Sequence, residues 1–272
     1  MALDRPTNDQ PDRPQTPSRP DTPSDPHGVD HLTRAEAFAS HRYWNEVPRF
    51  SAEWRAHVER WPREKPGDQG VAHGAESGHL DAAADQVARA EVRISGDIEH
   101  AAASCSRPTW LGGFEFRLKS AERIKEKVAG KMDAEPDRSP AEVVQALPDA
   151  IRYTFCFDSS NYTAGLADIK DQLRASGYEI YYTKNFWLNT EYKGVNTRWV
   201  TPEGQRFEVQ FHTAESFHAK QEVTHLAYER IRDPRTSDHE RSELQGFQRE
   251  VSGWIPVPPG VQDMPDYKKR GF

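Results

Sequence analysis

Four basic side chains lie close together near the middle of the sequence. Arg117 and Lys119 are two residues apart, so on an extended segment they point to one face. Arg123 and Lys127 are four residues apart and share a face if the segment is helical. Four cations at a junction between a strand and a helix suit a polyphosphate, and the positive end of the helix adds to them. The alternative is a solvated basic helix face balanced by neighbouring glutamates.

A second group of charges lies at the start of an apolar run, residues 151–157. Asp149 precedes this run and Arg152 lies inside it. A charged residue in such a run is costly unless it is paired or functional. Asp149 could hold Mg²⁺ and Arg152 could face a phosphate. Alternatively, Asp149 only begins the strand and Arg152 bonds to a carboxylate, and these two residues alone favour this second interpretation.

The segment 208–213 alternates polar and apolar residues. In a strand, Glu208, Gln210 and His212 share one face, while Val209 and Phe211 point to the core. Three polar groups on one side of a buried strand need a ligand, a metal or water to satisfy them. A half-exposed sheet explains the same alternation.

The histidines after this segment do not form a recognisable zinc motif. His218 and His225 lie on the following helix, but the sequence contains no HExxH pattern. Zinc is therefore disfavoured. His225 is interpreted as a hydrogen-bonded structural histidine or as a contact to phosphate.

The elements that must position these residues can be read from periodicity and from turn residues. Helices are predicted over 80–103, 121–131, 163–176, 215–232 and 237–251. Strands are predicted over 114–118, 151–157, 178–183, 194–201 and 206–211. This order predicts an α+β fold with a mixed β-sheet flanked by helices.

Composition divides the chain into four parts. The chain has 272 residues, of which 29% are charged and 20 are prolines, which is too polar for uniform folding. Residues 1–30 are predicted to be a disordered Pro-rich linker. Residues 31–78 are predicted to hold two short amphipathic helices and a second linker. A compact domain is expected over 79–235, followed by a helix and tail over 236–272.

Several classes of protein are disfavoured by the composition. No apolar run approaches membrane-spanning length, and no secretory signal is visible, so a cytoplasmic address is expected, with a delivered effector as the alternative. Two cysteines are too few for a disulfide framework or a thiolate zinc site, and Cys156 is expected to be buried. A net charge of −7 argues against a protein that coats nucleic acid, but it leaves room for a local phosphate site.

Taken in order, these motifs resemble the synthetase domain of the RelA/SpoT family, which has a nucleotidyltransferase-like fold. The resemblance covers about residues 80–232 and is nearest to the small actinobacterial pyrophosphokinases and toxic small synthetases. It is carried by Arg117-Leu118-Lys119-Ser120 with Lys127, Asp149 with Arg152, Lys193-Gly194-Val195-Asn196, Glu208 to Thr213, and His225 with Tyr228.

The resemblance implies a transferase that moves the β,γ-pyrophosphate of ATP to the 3′-hydroxyl of a guanine or adenine nucleotide, with Mg²⁺. The catalytic residues are expected to be Glu208, Asp149, Arg117 and Lys119, with the metal on Asp149 and Glu208. ATP is expected to bind to Arg117, Lys119, Arg123, Lys127 and Arg152. The acceptor is expected to bind to Tyr192, Lys193, Asn196, Gln210, His212 and His225.

This sequence departs from the family pattern at three places. Asp149 precedes Arg152 by three residues rather than five, which keeps the same strand face. Val195 stands where the family has a tyrosine that stacks on the acceptor base, so the ring of Tyr192 or Trp199 is expected to take that place. His212 replaces an arginine. Recognition of the acceptor is therefore the least directly inherited property.

Two alternatives remain open at this point. One is a toxin domain that pyrophosphorylates the tRNA 3′ end, with an antitoxin or a delivery system as its partner. The other is an inactive nucleotide-binding module, against which the retained Arg117, Lys119, Asp149 and Glu208 argue. No hydrolase half is visible, so degradation of the product is not expected.

Deleting residues 1–30 should leave turnover unchanged, because this segment contributes almost no apolar or site residue. The rate of label transfer from ATP, measured for the full and shortened chains, checks this. A loss of about tenfold, which corresponds to about 1.4 kcal/mol of barrier, would show that the segment contributes to the reaction.

Overall fold

The structure is a computed structural model that describes residues 31–32 and 77–272. The linker predicted over 1–30 lies outside the described residues, and so do the two helices predicted within 31–78, apart from His31 and Leu32, which form a short strand instead. The helices are α1 (Ser77–Ser104), α2 (Ala121–Met132), α3 (Pro140–Gln145), α4 (Tyr162–Ala175), α5 (Ala214–His218), α6 (His225–Arg232) and α7 (Asp238–Gly253). The strands are β1 (His31–Leu32), β2 (Trp110–Gly112), β3 (Arg152–Phe157), β4 (Glu179–Asn185), β5 (Val195–Val200), β6 (Arg206–Thr213) and β7 (Tyr267–Lys268).

The described strands form one mixed sheet in the order β1-β2-β3-β6-β5-β4-β7. The pairs β1–β2 and β3–β6 are parallel, and the other neighbours are antiparallel. Helices pack on this sheet, so the predicted α+β class is confirmed. The predicted central strand corresponds to β3, which is buried along nearly its whole length.

One face of the sheet carries the main hydrophobic core. Tyr153, Phe155 and Phe157 of β3 are buried there, and the hydroxyl of Tyr153 lies 2.9 Å from Ser95 Oγ of α1. Tyr162 at the start of α4 donates to the carbonyl of Phe211 at 2.8 Å. Because α1 and α4 cover this face, the alternate residues of the same strands point to the opposite side.

The opposite face is polar. Glu208, Gln210 and His212 of β6 lie on it and are only 7%, 5% and 0% exposed. The alternation predicted for this strand is therefore present, but the half-exposed sheet that was its alternative is excluded. Residues of α5 and the segment after it help to cover these side chains, since Lys220 contacts Gln210 and Ser216 contacts His212.

The prediction of a strand over 114–118 is wrong. Gly113 adopts a left-handed conformation with φ of 61°, and Phe114–Phe116 forms a 3₁₀ turn. Glycine adopts this conformation at little cost. The sheet instead takes its strand from Trp110–Gly112, and Leu118 makes only an isolated antiparallel bridge to Ile151.

The prediction of one continuous helix over 215–232 is also wrong, because a π-helical turn, Ala219–Val223, interrupts this segment. The backbone N–H and the hydroxyl of Thr224 both donate to the carbonyl of Ala219, at 2.8 and 3.0 Å. The extra residue in this turn rotates the following helix. Tyr228, in the helix after this turn, is 49% exposed.

No helix in the described part of the chain combines the length and the apolar character needed to cross a membrane.

Gly165→Ala should destabilise the protein by about 1–3 kcal/mol, because a Cβ at this position of α4 would lie 2.2 Å from Phe157 Cε1. Thermal melting should show a decrease of about 2–4 °C for each kcal/mol. Gly96→Ala is the matched control, since a Cβ there meets nothing within 4 Å, and it should stabilise α1 by up to about 1 kcal/mol. Equal melting temperatures for the two variants would contradict the packing described for Gly165.

Candidate active site

Two lysines of the predicted basic cluster meet the carboxylate of Asp149. Lys119 Nζ lies 3.5 Å from Asp149 Oδ2, and Lys127 Nζ of α2 forms an ion pair with the same oxygen. The backbone explains this approach, because Lys119 N donates to the carbonyl of Ala150 at 3.0 Å and Arg152 N donates to the carbonyl of Arg117 at 2.7 Å. The segments 117–119 and 150–152 therefore run side by side at the start of β3.

Burial and charge act in opposite directions on these groups. Burial lowers the pKa of Lys119, as do the charges of Arg152 and Lys127, while Asp149 raises it, and the net result is a lowered pKa. Burial raises the pKa of Asp149, but the hydrogen bond from Lys127 and the surrounding cations outweigh it, so this pKa is lowered. Asp149 is therefore a carboxylate at neutral pH, in a cluster with more cations than anions.

The other two members of the predicted cluster have different partners. Arg117 Nε donates to Glu91 Oε1 of α1 at 2.5 Å, and its guanidinium lies 4.4 Å from the ring of Phe114. Arg123 forms an exposed pair with Glu126 at 3.1 Å, one turn along α2. The structure thus brings two of the four predicted cations together, and the roles of Arg117 and Arg123 in binding ATP stay predictions.

Arg152 and Glu208 are neighbours on the polar face. Arg152 of β3 is the register partner of Glu208, whose partner on the other side is Arg198 of β5. Paired residues in adjacent strands point to the same face, so the carboxylate of Glu208 lies between two arginines. The alternative in which Arg152 bonds to a carboxylate is not observed, because its guanidinium makes no ion pair within residues 77–272. Arg198 was not predicted, although its alternation with Asn196 was a usable signal.

A chain of hydrogen bonds fixes the side chain of Glu208. Gln210 Nε2 donates to Glu208 Oε1, and Lys220 Nζ of the π-helical turn donates to Gln210 Oε1. Burial, followed by the charge of Arg152, lowers the pKa of Lys220, while Glu208 opposes this effect. No role was predicted for Lys220, because a π-helical turn has no simple signature in the residue pattern.

His212 is fully buried, so its side chain supports neighbouring residues and is not exposed to a ligand. Its Nε2 lies 2.9 Å from the hydroxyl of Tyr192, and its Nδ1 lies 2.9 Å from Ser216 Oγ. The Tyr192 hydroxyl also donates to Asn196 Oδ1 at 2.9 Å. Burial lowers the pKa of His212 well below its usual value, and the charges of Lys220 and Arg152 act in the same direction. The ring is therefore neutral and is held by hydrogen bonds at both nitrogens.

The loop before β5 is folded back on itself. Lys193 Nζ donates to the carbonyls of Trp187 and Asn189 at 2.9 and 2.6 Å. The ring of Tyr192 makes edge contacts with Phe186 at 5.3 Å and with His212 at 5.5 Å. Lys193 and Tyr192 thus have structural partners, and their contacts with an acceptor stay predictions. Trp199, the other aromatic residue considered, is fully buried in the core.

His225 lies at the start of α6. Its Nε2 lies 3.4 Å from Glu229 Oε1, one turn further along the helix, and its side chain is 38% exposed. Its role as a contact for the acceptor stays a prediction.

The candidate carboxylates suit a magnesium site that substrate phosphates complete, rather than a site in which protein side chains alone enclose the metal. Asp149 and Glu208 supply carboxylate oxygens, and the described residues hold no group of three or more His, Cys, Asp or Glu side chains placed to bind a metal. Mg²⁺ is usually held by one or two carboxylates together with substrate phosphates. Asp149 and Glu208 are two carboxylates of the type that such a site requires.

No known protein-family profile matches the chain, and no curated protein matches it. Among solved structures, it is similar to the Type VI effector Tas1 in complex with its immunity protein, with a TM-score of 0.42 and 17% identity over 70% of this chain and 97% of that chain. It is also similar to the small alarmone synthetase 1 of Bacillus subtilis bound to its product pppGpp, with a TM-score of 0.39 and 12% identity over 64% and 88%. A GTP pyrophosphokinase family protein of Streptococcus pneumoniae has a TM-score of 0.36 and 14% identity over 64% and 85%.

Tyr192→Phe should destabilise the protein by about 1–3 kcal/mol, because it leaves His212 and Asn196 without a buried partner. Denaturant unfolding measures this loss. Tyr228→Phe is the control, since its hydroxyl accepts an exposed bond from Arg232, and it should change stability by less than about 0.5 kcal/mol. A Tyr192→Phe protein as stable as the control would contradict the described network.

Proposed function

We propose that the chain is a pyrophosphokinase that transfers the β,γ-pyrophosphate of ATP to the 3′-hydroxyl of a guanine or adenine nucleotide. The observation that carries this proposal is the convergence of Lys119, Lys127 and Asp149 at the start of β3, beside Arg152 and its register partner Glu208. Such an arrangement combines cations that can bind phosphate with two carboxylates, one just before β3 and one on the covered face of the sheet. Both are needed for phosphoryl-type transfer, which depends on positioning and on charge neutralisation.

In this proposal Lys119 and Lys127 bind the polyphosphate of ATP. Their ammonium groups are half-buried, and the pKa of Lys119 is lowered by burial and by neighbouring cations. A cation in that environment gains more from a phosphate oxygen than a solvated lysine does. Arg152, whose guanidinium makes no ion pair within residues 77–272, adds its charge from the adjacent strand.

Asp149 and Glu208 would hold Mg²⁺, which when bound would neutralise the charge that develops on the phosphates. In this proposal Glu208 also accepts the proton of the attacking 3′-hydroxyl. Gln210 donates to the carboxylate of Glu208, and Lys220 donates to Gln210 in turn, so the carboxylate is held in one orientation. The in-line attack on the β-phosphorus releases AMP as the leaving group and forms the 3′-pyrophosphorylated acceptor.

Glu208→Gln should reduce the transfer rate by at least about a hundredfold, because an amide neither accepts the proton nor binds Mg²⁺ as a carboxylate does. The fold should be kept, since the new amide oxygen can still accept the hydrogen bond from Gln210. Label transfer from ATP to GDP, GTP, ATP and tRNA, together with thermal melting, measures both properties.

Glu203→Gln is the matched control, since Glu203 is an exposed carboxylate whose partner is Arg93, and this variant should transfer at the normal rate. Normal transfer by Glu208→Gln would refute the assigned role of Glu208. Absence of transfer to every acceptor by the unmodified protein would favour the inactive nucleotide-binding module instead.

A further inference from the structure

Helix α1 carries a buried carboxylate that the proposed reaction does not use. Glu91 is 5% exposed, and Ser95, one turn further along α1, is 7% exposed. The hydroxyl of Ser95 donates to Glu91 Oε1 and lies 2.9 Å from the hydroxyl of Tyr153 in β3. Arg117 Nε, at 2.5 Å from Glu91 Oε1, completes this cluster near the start of β3.

Stability alone gives a weak reason for a charge at position 91. Glu91 interrupts an apolar stripe of α1 that is formed by Val87, Ile94 and Ile98, all of them buried. A buried carboxylate is costly to desolvate, and the attraction of its partner often only offsets that cost. Apolar side chains of similar size frequently make such a position equally stable. The charge of Glu91 is therefore better explained by its effect on Arg117.

Glu91 and its neighbours fix the orientation of the Arg117 guanidinium. Arg117 Nε donates to Glu91 Oε1 and, at 3.0 Å, to Ser95 Oγ, while Nη1 donates to the carbonyl of Phe114 at 3.2 Å. The guanidinium also lies 4.4 Å from the ring centre of Phe114. Nη2 makes no hydrogen bond within residues 77–272, and the Arg117 side chain is 31% exposed. The guanidinium therefore keeps Nη2 for a ligand, in a plane that α1 and Phe114 determine.

The backbone of Arg117 connects this cluster to Lys119. Arg117 ends the 3₁₀ turn in a helical conformation, with φ of −63° and ψ of −29°, so the spacing of two residues does not place its side chain on the face of Lys119 as an extended segment would. The carbonyl of Arg117 accepts from Arg152 N at 2.7 Å, and Lys119 N donates to the carbonyl of Ala150 at 3.0 Å. The side-chain contact with Glu91 and these backbone bonds thus hold the same short segment, 117–119.

Loss of the Glu91 carboxylate would release the Arg117 side chain without removing its charge. A free arginine side chain has many rotamers, and only some of them direct Nη2 as the anchored side chain does. A ligand that binds to Nη2 must then select the correct rotamer, and its affinity falls in proportion to the fraction of molecules that have this rotamer. The expected loss is therefore one of orientation.

We propose that Glu91 is a positioning residue for the donor nucleotide, and that it acts by fixing the Arg117 guanidinium and the segment 117–119 for the binding of ATP. This inference rests on the proposed function, in which Lys119 of that segment binds the polyphosphate. Glu91 itself touches neither substrate, because it is buried and its Oε1 is occupied by Arg117 and Ser95. Its effect is therefore confined to ATP and passes through Arg117.

Calorimetry on the full chain with α,β-methylene ATP, which cannot transfer its pyrophosphate, measures this effect without an acceptor. Glu91→Leu, which continues the apolar stripe of α1, should bind the analogue about tenfold more weakly than the unmodified protein does. Glu91→Gln should recover most of the affinity, because its amide oxygen still accepts from Arg117 Nε. In label transfer, Glu91→Leu should raise KM for ATP by a similar factor and leave KM for the acceptor unchanged.

A double-mutant cycle tests whether Glu91 acts through Arg117. Arg117→Ala should weaken binding of the analogue at least about tenfold, and Glu91→Leu added to it should weaken binding no further. Additive losses would overturn the proposal, because Glu91 would then influence ATP by a route that does not involve Arg117.

Asp97→Ala is the matched control, since Asp97 lies on the same helix and accepts a hydrogen bond from the hydroxyl of Tyr178. This variant should lower the melting temperature, because it leaves the Tyr178 hydroxyl without its partner, but it should bind the analogue with normal affinity. If Asp97→Ala binds the analogue as weakly as Glu91→Leu does, any loss of stability in α1 lowers the affinity, and the specific role of Glu91 is overturned.

The analogue also separates this proposal from the proposed activity. If the unmodified protein binds it and Glu91→Leu binds it about tenfold more weakly, the positioning role stands even where no acceptor receives label. If label is transferred but both proteins bind the analogue equally, the activity stands and the role of Glu91 is refuted. An unmodified protein that does not bind the analogue would overturn both.

Discussion

Arg152 lies beside Glu208 because β3 pairs with β6 in parallel register, and most of the candidate site follows from this pairing. The register is fixed by the opposite face, where Phe155 stacks on Phe211 at 5.8 Å and Tyr153 and Val209 enter the core. A slip of one residue would place Val209 on the polar face and Glu208 in the core. The packing of the hydrophobic core therefore determines where the polar side chains of the candidate site lie, although none of those side chains belongs to the core.

The polar face gathers positive charge in a chain that is acidic as a whole. The net charge is −7, yet two carboxylates, Asp149 and Glu208, share their surroundings with several cations. These cations are Lys119, Lys127, Arg152, Arg198, Arg206 and Lys220. Partial burial weakens solvent screening, so each added anionic group interacts with this excess strongly. The net charge thus describes the average electrostatic potential of the surface, whereas the class of ligand that a site attracts depends on the charges around that site.

The sequence predicted those parts of the site that depend on local periodicity. The alternation in β6 identified Glu208, Gln210 and His212 as one face, and the apolar run at 151–157 identified the central strand. It did not predict partners that depend on distant segments: Glu91 of α1 attracts Arg117, and Lys220 reaches Gln210 only through a π-helical turn.

The departures from the family pattern at 195 and 212 can be understood as one structural change. Gly194 passes so close to β6 that a Cβ would lie 2.9 Å from His212 Cε1 and 3.1 Å from Tyr192 Oη. This close approach brings the Tyr192 hydroxyl to His212. An arginine at 212 would bring a buried charge into that contact, whereas a neutral histidine can exchange a hydrogen bond with a phenol. The aromatic residue before the glycine and the histidine on β6 therefore depend on each other, and the small Val195 occupies a position that the pair leaves buried.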